Sequence, residues 1–129
     1  MLHLRCSMVV LRCLIIDDNI AFLDASSSLL ERQGLRVVGR ASNGADGVRL
    51  AAELAPDLIL LDIDLGAENG FTVAGQLAAT DAASTRDVIL ISTHPEDDFT
   101  ELVEQSPTAG FIPKSDLSLK AIERVLNLD

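Results

Sequence analysis

Aromatic side chains are almost missing from this 129-residue chain, which has four Phe, no Tyr and no Trp. No platform for stacking nucleic-acid bases can be assembled from that supply, and the core has to be aliphatic. Positive charge is also short. Ten Lys and Arg face twenty Asp and Glu, for a net charge of −10 and a pI near 4.4. Wrapping nucleic acid, or lying on an anionic membrane, takes basic patches that this composition lacks. Cysteine is limited to Cys6 and Cys13, with neither a zinc spacing nor a CxxC pair. Cys13 lies inside an apolar run as a small core residue. Such usage fits a reducing, cytosolic compartment. No apolar run reaches the ~20 residues of a membrane span. The apolar opening MLHLRCSMVVLRCLII has no small-residue cleavage site and runs directly into acids, so it does not read as a signal sequence.

Hydrophobic residues are plentiful, at 48% with a mean hydropathy of +0.30, which rules out a disordered chain. The length favours one domain, over residues 9–129, after a short extension over 1–8. A domain of this size buries roughly two-thirds of its unfolded surface, enough for one core. The acidic balance alone distinguishes only between a solvated surface and a cation site.

Apolar runs and helical spacings alternate along the chain. Strands are predicted at 9–16, 35–39, 58–61, 87–91 and 109–112. The third is uniformly apolar, as a central parallel strand covered on both faces should be. Helices are predicted at 20–33, with Leu23, Ser27 and Leu30 on one face, and at 45–55, with Val48, Ala51, Ala52 and Ala55 facing in. Further helices follow at 71–79, after Pro95 with Glu96, Asp97 and Asp98 at its positive end, and at 117–126. Residues 41–44 and 64–70 read as loops. The pattern is an α/β, flavodoxin-like (βα)5 fold: a doubly wound parallel sheet of strand order 2-1-3-4-5. Such sheets bind ligands beyond the carboxyl ends of their strands, at the switch point between the first and third strands.

The strand ends carry the chemistry. Leu14-Ile15-Ile16 runs into Asp17-Asp18, Leu58 to Leu61 into Asp62, Val88 to Ile91 into Ser92-Thr93, and Gly110-Phe111-Ile112-Pro113 into Lys114. Three clustered carboxylates repel one another unless a cation neutralises them. Oxygen donors with room for water suit Mg2+. Lys114 is one of only two lysines, against eight arginines, and a compact ammonium is a point-charge partner for carboxylate or phosphoryl oxygen. Taken alone, Asp17-Asp18 also reads as a helix cap, Asp62 as a turn residue and Ser92 as a capping serine.

In order and in strand context, these residues resemble the receiver domain of bacterial two-component response regulators, over roughly 9–128. Gly70 and the string Gly110 to Lys114 match in position. The resemblance implies that Asp62 is a phosphoacceptor and that Asp17, Asp18, Asp62 and the backbone carbonyl of Asp64 hold Mg2+. It implies that Lys114 is a counter-charge, and that Ser92 and Phe111 form a switch. It further implies a sensor histidine kinase or phosphotransfer protein as donor, homodimerisation on phosphorylation as one outcome, and a module that is not a turnover enzyme.

Some positions depart from the common pattern. Gly66 and Ser115 stand where proline is frequent, and Thr93 where Ala or Gly is common. The string Gly110 to Ser115 is similar to receivers joined to helix-turn-helix DNA-binding domains. Asp64 and Thr93 are expected to slow the access of water to an aspartyl phosphate. Two other readings stay open on sequence. One is a receiver-like interaction module independent of phosphorylation. The other is a haloacid dehalogenase-type phosphatase, suggested by the string Asp62-Ile63-Asp64-Leu65-Gly66.

Overall fold

A computed structural model describes residues 10–79, 87–94 and 99–128. The expected extension over 1–8 and the expected helix opening at Pro95, Glu96, Asp97 and Asp98 lie outside the described residues. Strands β1 (Arg12–Ile16), β2 (Arg36–Ala41), β3 (Leu58–Asp62), β6 (Asp87–Ser92) and β7 (Gly110–Pro113) form one sheet. Every pairing in it is parallel, in the order β2-β1-β3-β6-β7. Counting these five strands alone, the order is 2-1-3-4-5, as the alternation of apolar runs and helical spacings implies. A small antiparallel hairpin, β4 (Asp64–Leu65) with β5 (Glu68–Asn69), lies where a plain loop was expected. Gly66 makes its turn at φ +70°, in the left-handed region that glycine enters without steric cost.

Helix α1 (Ile20–Arg32) starts where the Asn19 side chain accepts from the Phe22 amide. Helices α2 (Gly44–Leu54), α3 (Gly70–Ala78), α4 (Thr100–Gln105) and α5 (Leu119–Leu126) follow. Side chains of Asn43, Asn69 and Ser118 cap the starts of α2, α3 and α5 by satisfying free amides of the first turn. A one-turn 3-10 segment, Lys114–Asp116, separates β7 from α5, which therefore begins two residues later than its apolar spacing suggests.

Both faces of the sheet are covered. Cys13, Ile15, Leu58, Leu60, Ile89 and Ile91 pack with Leu23 and Leu30 of α1 and Ile122 of α5. Leu14, Ile16, Ile59, Leu61, Val88 and Leu90 pack with Ala51 of α2, with Val73, Ala74 and Leu77 of α3, and with Val103 of α4. Two helix faces differ from their predicted orientation. Ala52 and Ala55 are exposed, and α2 instead seats Gly44, Gly47 and Ala51. A Cβ at Gly47 would come within 2.5 Å of Ile16, so α2 lies closer to β1 than any larger residue allows. On α1 the buried serine is Ser26, not Ser27. Ser26 hides its hydroxyl by donating to the Phe22 carbonyl at 2.6 Å.

Candidate functional site

The parallel order brings the four polar strand ends to one edge. β1 continues to β2 on one side while β3 continues to β6 on the other, so the ends of β1 and β3 flank a crevice. Asp17 follows β1 and Asp62 closes β3. Both are buried, Asp17 fully, while Asp18 is exposed. One carboxylate oxygen from each of the three lies within 4.8 Å of the others.

Lys114 reaches this group from the end of β7. Its Nζ stands 2.6 Å from Asp17 Oδ2 and 3.5 Å from Asp62 Oδ2. Asp17 Oδ1 accepts from the Asn19 amide at 2.9 Å. Asp17 Oδ2 is buried and has no aligned hydrogen bond, so its contact with Lys114 is an ion pair, not a directed bond. Asp62 Oδ1 accepts from the Asp64 amide at 3.2 Å. Burial, then repulsion from Asp17, raises the Asp62 carboxyl to about 7, against the opposing pull of Lys114 and the Asp64 amide. One ammonium among three carboxylates leaves the crevice with surplus negative charge. That surplus and the all-oxygen donor set fit a hard divalent cation.

Gly70 is built into the floor of the site. Its amide donates to the Ile63 carbonyl at 2.7 Å. A Cβ there would collide with the Asp62 carbonyl oxygen and would lie 2.6 Å from Ile63 Cα. No side chain larger than hydrogen fits between α3 and the backbone that carries Asp62.

Ser92 is buried at the end of β6, and its Oγ accepts from the His94 amide at 3.0 Å. That leaves the hydroxyl proton free to donate. Thr93 beside it is exposed, as is the Asp64 side chain. Phe111 is buried, with its ring 6.3 Å from that of Phe99. Phe99 in turn lies 6.3 Å from Phe71 and edge-on to His94 at 6.2 Å. A cavity of about 390 Å³ beside Ser92 is lined by Ile63, Asp64, Glu68, His94 and Phe99, among others.

Three contacts escape a reading by strand ends. The ring of Phe22 lies 4.3 Å from Lys114 Nζ. Glu68 Oε1 accepts from the Gly44 amide at 2.8 Å, tying the hairpin to the start of α2. His94 and Phe99 complete the aromatic row. No spacing signal marks the first two, because each joins residues from separate βα units, and the third joins two residues of one connection, between β6 and α4.

Comparisons with known proteins bear on the family and the fold. The sequence profile of the response regulator receiver domain matches residues 13–125. The virulence-factor regulator BvgA of Bordetella pertussis is 32% identical over 103 residues, which cover 80% of this chain and 48% of BvgA. Protein PilH of Pseudomonas aeruginosa is 36% identical over 86 residues, 67% of this chain and 70% of PilH. The signal receiver domain of NarL from Mycobacterium tuberculosis superposes with a TM-score of 0.78 at 28% identity, covering 92% of this chain and 95% of that domain. The chain therefore spans about half the length of curated regulators such as BvgA.

Proposed function

This chain belongs to the receiver domain family of two-component response regulators, and we propose that Asp62 is the side chain on which it accepts a phosphoryl group. The observation that carries this reading is the seat of Asp62, a buried carboxylate between the Lys114 ammonium and the acids Asp17 and Asp18. Asp62 attacks the phosphorus of a phosphohistidine, supplied by a sensor histidine kinase or phosphotransfer protein. The new P–O bond forms as the P–N bond breaks, and the imidazole nitrogen keeps the electron pair and takes up a proton.

An anion attacking an anionic group needs neutralising company, and burial already disfavours charge on Asp62. Mg2+ held by Asp17, Asp18, Asp62 and the Asp64 carbonyl would neutralise phosphoryl oxygens. Lys114 supplies a second positive charge. Ser92 donates its free hydroxyl proton to the attached group. Phe111 packs inward on the same side of the sheet as Ser92, and a shift in their joint position biases the surface of α4, β7 and α5. Gly70 keeps α3 close enough to hold the Asp62 backbone in place. The receiver unit spans 9–129, acts in the cytoplasm and binds no nucleic acid itself. It signals through a protein-interaction or DNA-binding output, with homodimerisation as one route. It works as a stoichiometric acceptor, not a turnover enzyme. Among the described residues no helix is long and apolar enough to cross a membrane.

The test is incubation with a small acyl phosphate and Mg2+, followed by intact mass. One added phosphoryl group is expected on the wild-type chain and none on Asp62→Asn. No adduct under several donors and cations would favour a phosphorylation-independent module, and steady release of phosphate from a monoester would favour a phosphatase.

A further inference from the structure

Lys114 sits at the end of an edge strand, and its two carboxylate partners lie at the ends of β3 and β1. Neighbouring strands are ~4.8 Å apart, so the side chain must reach back across the end of β6. A four-carbon stem extended that far has much rotamer freedom to lose, and an ammonium makes no fixed fork that would hold it. Ion pairing alone pulls it to one side: Nζ is 2.6 Å from Asp17 and 3.5 Å from Asp62. Its hold on Asp62 is a single long hydrogen bond of 3.5 Å, so a contact that competes with neither carboxylate helps to keep the ammonium at the height of both.

The ring of Phe22 is in that position, with its centroid 4.3 Å from Lys114 Nζ. An aromatic face attracts a cation through its quadrupole and does so over a broad area, not along one direction. The ring itself is well anchored. The Phe22 amide donates to Asn19 Oδ1 at 3.1 Å, and its carbonyl accepts from Ser26 Oγ at 2.6 Å. Phe22 is half-buried against the core shared by α1 and α5. Asn19 also donates its amide to Asp17 Oδ1, so the segment that fixes the ring fixes one of the ammonium's partners too. Of the four Phe in the chain, the other three form the row on the opposite face of the sheet.

We propose that Phe22 is a positioning residue for phosphoryl transfer, its ring face holding the Lys114 ammonium between Asp17 and Asp62 and free to turn to a phosphoryl oxygen. The inference rests on the role given to Lys114 above. It makes Phe22 act through Lys114 and not on Asp62 directly.

A double-mutant cycle on the full chain tests it, with the rate of labelling by a small acyl phosphate in saturating Mg2+ as the readout. Phe22→Leu keeps an apolar side chain on a good helix former but removes the π face. It should slow labelling about tenfold while leaving the melting temperature nearly unchanged. Phe22→Tyr should restore the rate to within about twofold of wild type, because a phenol ring keeps the face. In a Lys114→Met background, Phe22→Leu should slow labelling no further. The Lys114 ε-methylene protons should also show a ring-current shift that Phe22→Leu removes, a readout that needs no phosphorylation. Normal labelling of Phe22→Leu, or equal slowing with and without Lys114, would overturn the inference while leaving Asp62 as the acceptor. Failure of the wild-type chain to take any label would instead overturn the acceptor reading and the inference with it.

Discussion

On one face of the sheet, Ile15, Leu58, Leu60, Ile89 and Ile91 lie under α1 and α5. On the other, Leu14, Ile16, Ile59, Leu61 and Leu90 lie under α2, α3 and α4. The first cluster is almost wholly aliphatic. The second ends in the aromatic row of Phe71, Phe99 and Phe111, beside a cavity of about 390 Å³. The helices differ as well. α1 has thirteen residues, whereas α4 has six and no side-chain cap at its start, too short to hold its shape without tertiary support. Strand alternation divides the site in the same way. Asp62 continues the series Leu58, Leu60, and Asp17 the series Cys13, Ile15. Ser92 continues Val88, Leu90, and Phe111 belongs to the second cluster itself. Strand alternation thus places Asp17 and Asp62 on the face under α1 and α5, and Ser92 and Phe111 on the face under α2, α3 and α4. The difference teaches that one sheet can bring groups from both of its faces together at a single edge.

Core truncations give the largest expected effects. Leu60→Ala, fully buried under α1 and α5, should cost about 2–5 kcal/mol in urea denaturation. Val103→Ala, on α4, should cost only about 1 kcal/mol. A difference no larger than the extra carbon of leucine explains would break the contrast between the faces. Gly70→Ala drives a methyl group into the backbone of Asp62, at the seam between them. It should cost about 1–3 kcal/mol and abolish labelling by acyl phosphate, which rate and denaturation measurements together would show.

A third test separates charge from packing. Asp62 titrates near 7 in the folded chain and near 3.9 when unfolded. The folded state therefore holds the extra proton between those values, and this group's contribution to stability falls as pH rises from about 4 to about 7. In cation-free buffer, Asp62→Asn should be more stable than wild type by roughly 1–3 kcal/mol above pH 7, and the gap should close towards pH 4. A gap that stays constant with pH would assign the effect to packing. The smallest effect concerns the lifetime of the acyl phosphate. Asp64→Asn and Thr93→Ala should each change its decay rate by about twofold to fivefold, and unchanged decay in both would remove their proposed influence on water.

The sequence made the sheet order and the strand-end residues readable, because both rest on local patterns: apolar runs of strand length, each followed by a polar residue. What it hid depends on close approach. Ala52 and Ala55 looked inward by spacing, yet the true face of α2 is made by Gly44 and Gly47, whose missing side chains admit Ile16. A scale that scores hydrophobicity does not register a glycine as a contact. Ser26 is buried where Ser27 was expected: Leu23, Ser26 and Leu30 share a face at spacings of three and four just as Leu23, Ser27 and Leu30 would, and the bond from its hydroxyl back to Phe22 meets the cost of burying it. The hairpin at 64–69 is two residues per strand, below what alternation can signal. Phe22 and Lys114 meet across the ends of several strands, and nothing in either neighbourhood announces the pair.

The unequal distances around Lys114 have a thermodynamic consequence. At 2.6 Å it is paired with Asp17, whose side chain is fully buried. Were a divalent cation to take over that pairing, the ammonium would itself become the charge in want of a partner, and an incoming phosphoryl group would be the partner at hand. Occupancy by the cation and by the anion should therefore be linked, each tightening the other by the same factor. Lys114 would then make the two ligands of the crevice cooperative although they carry opposite charge and enter separately.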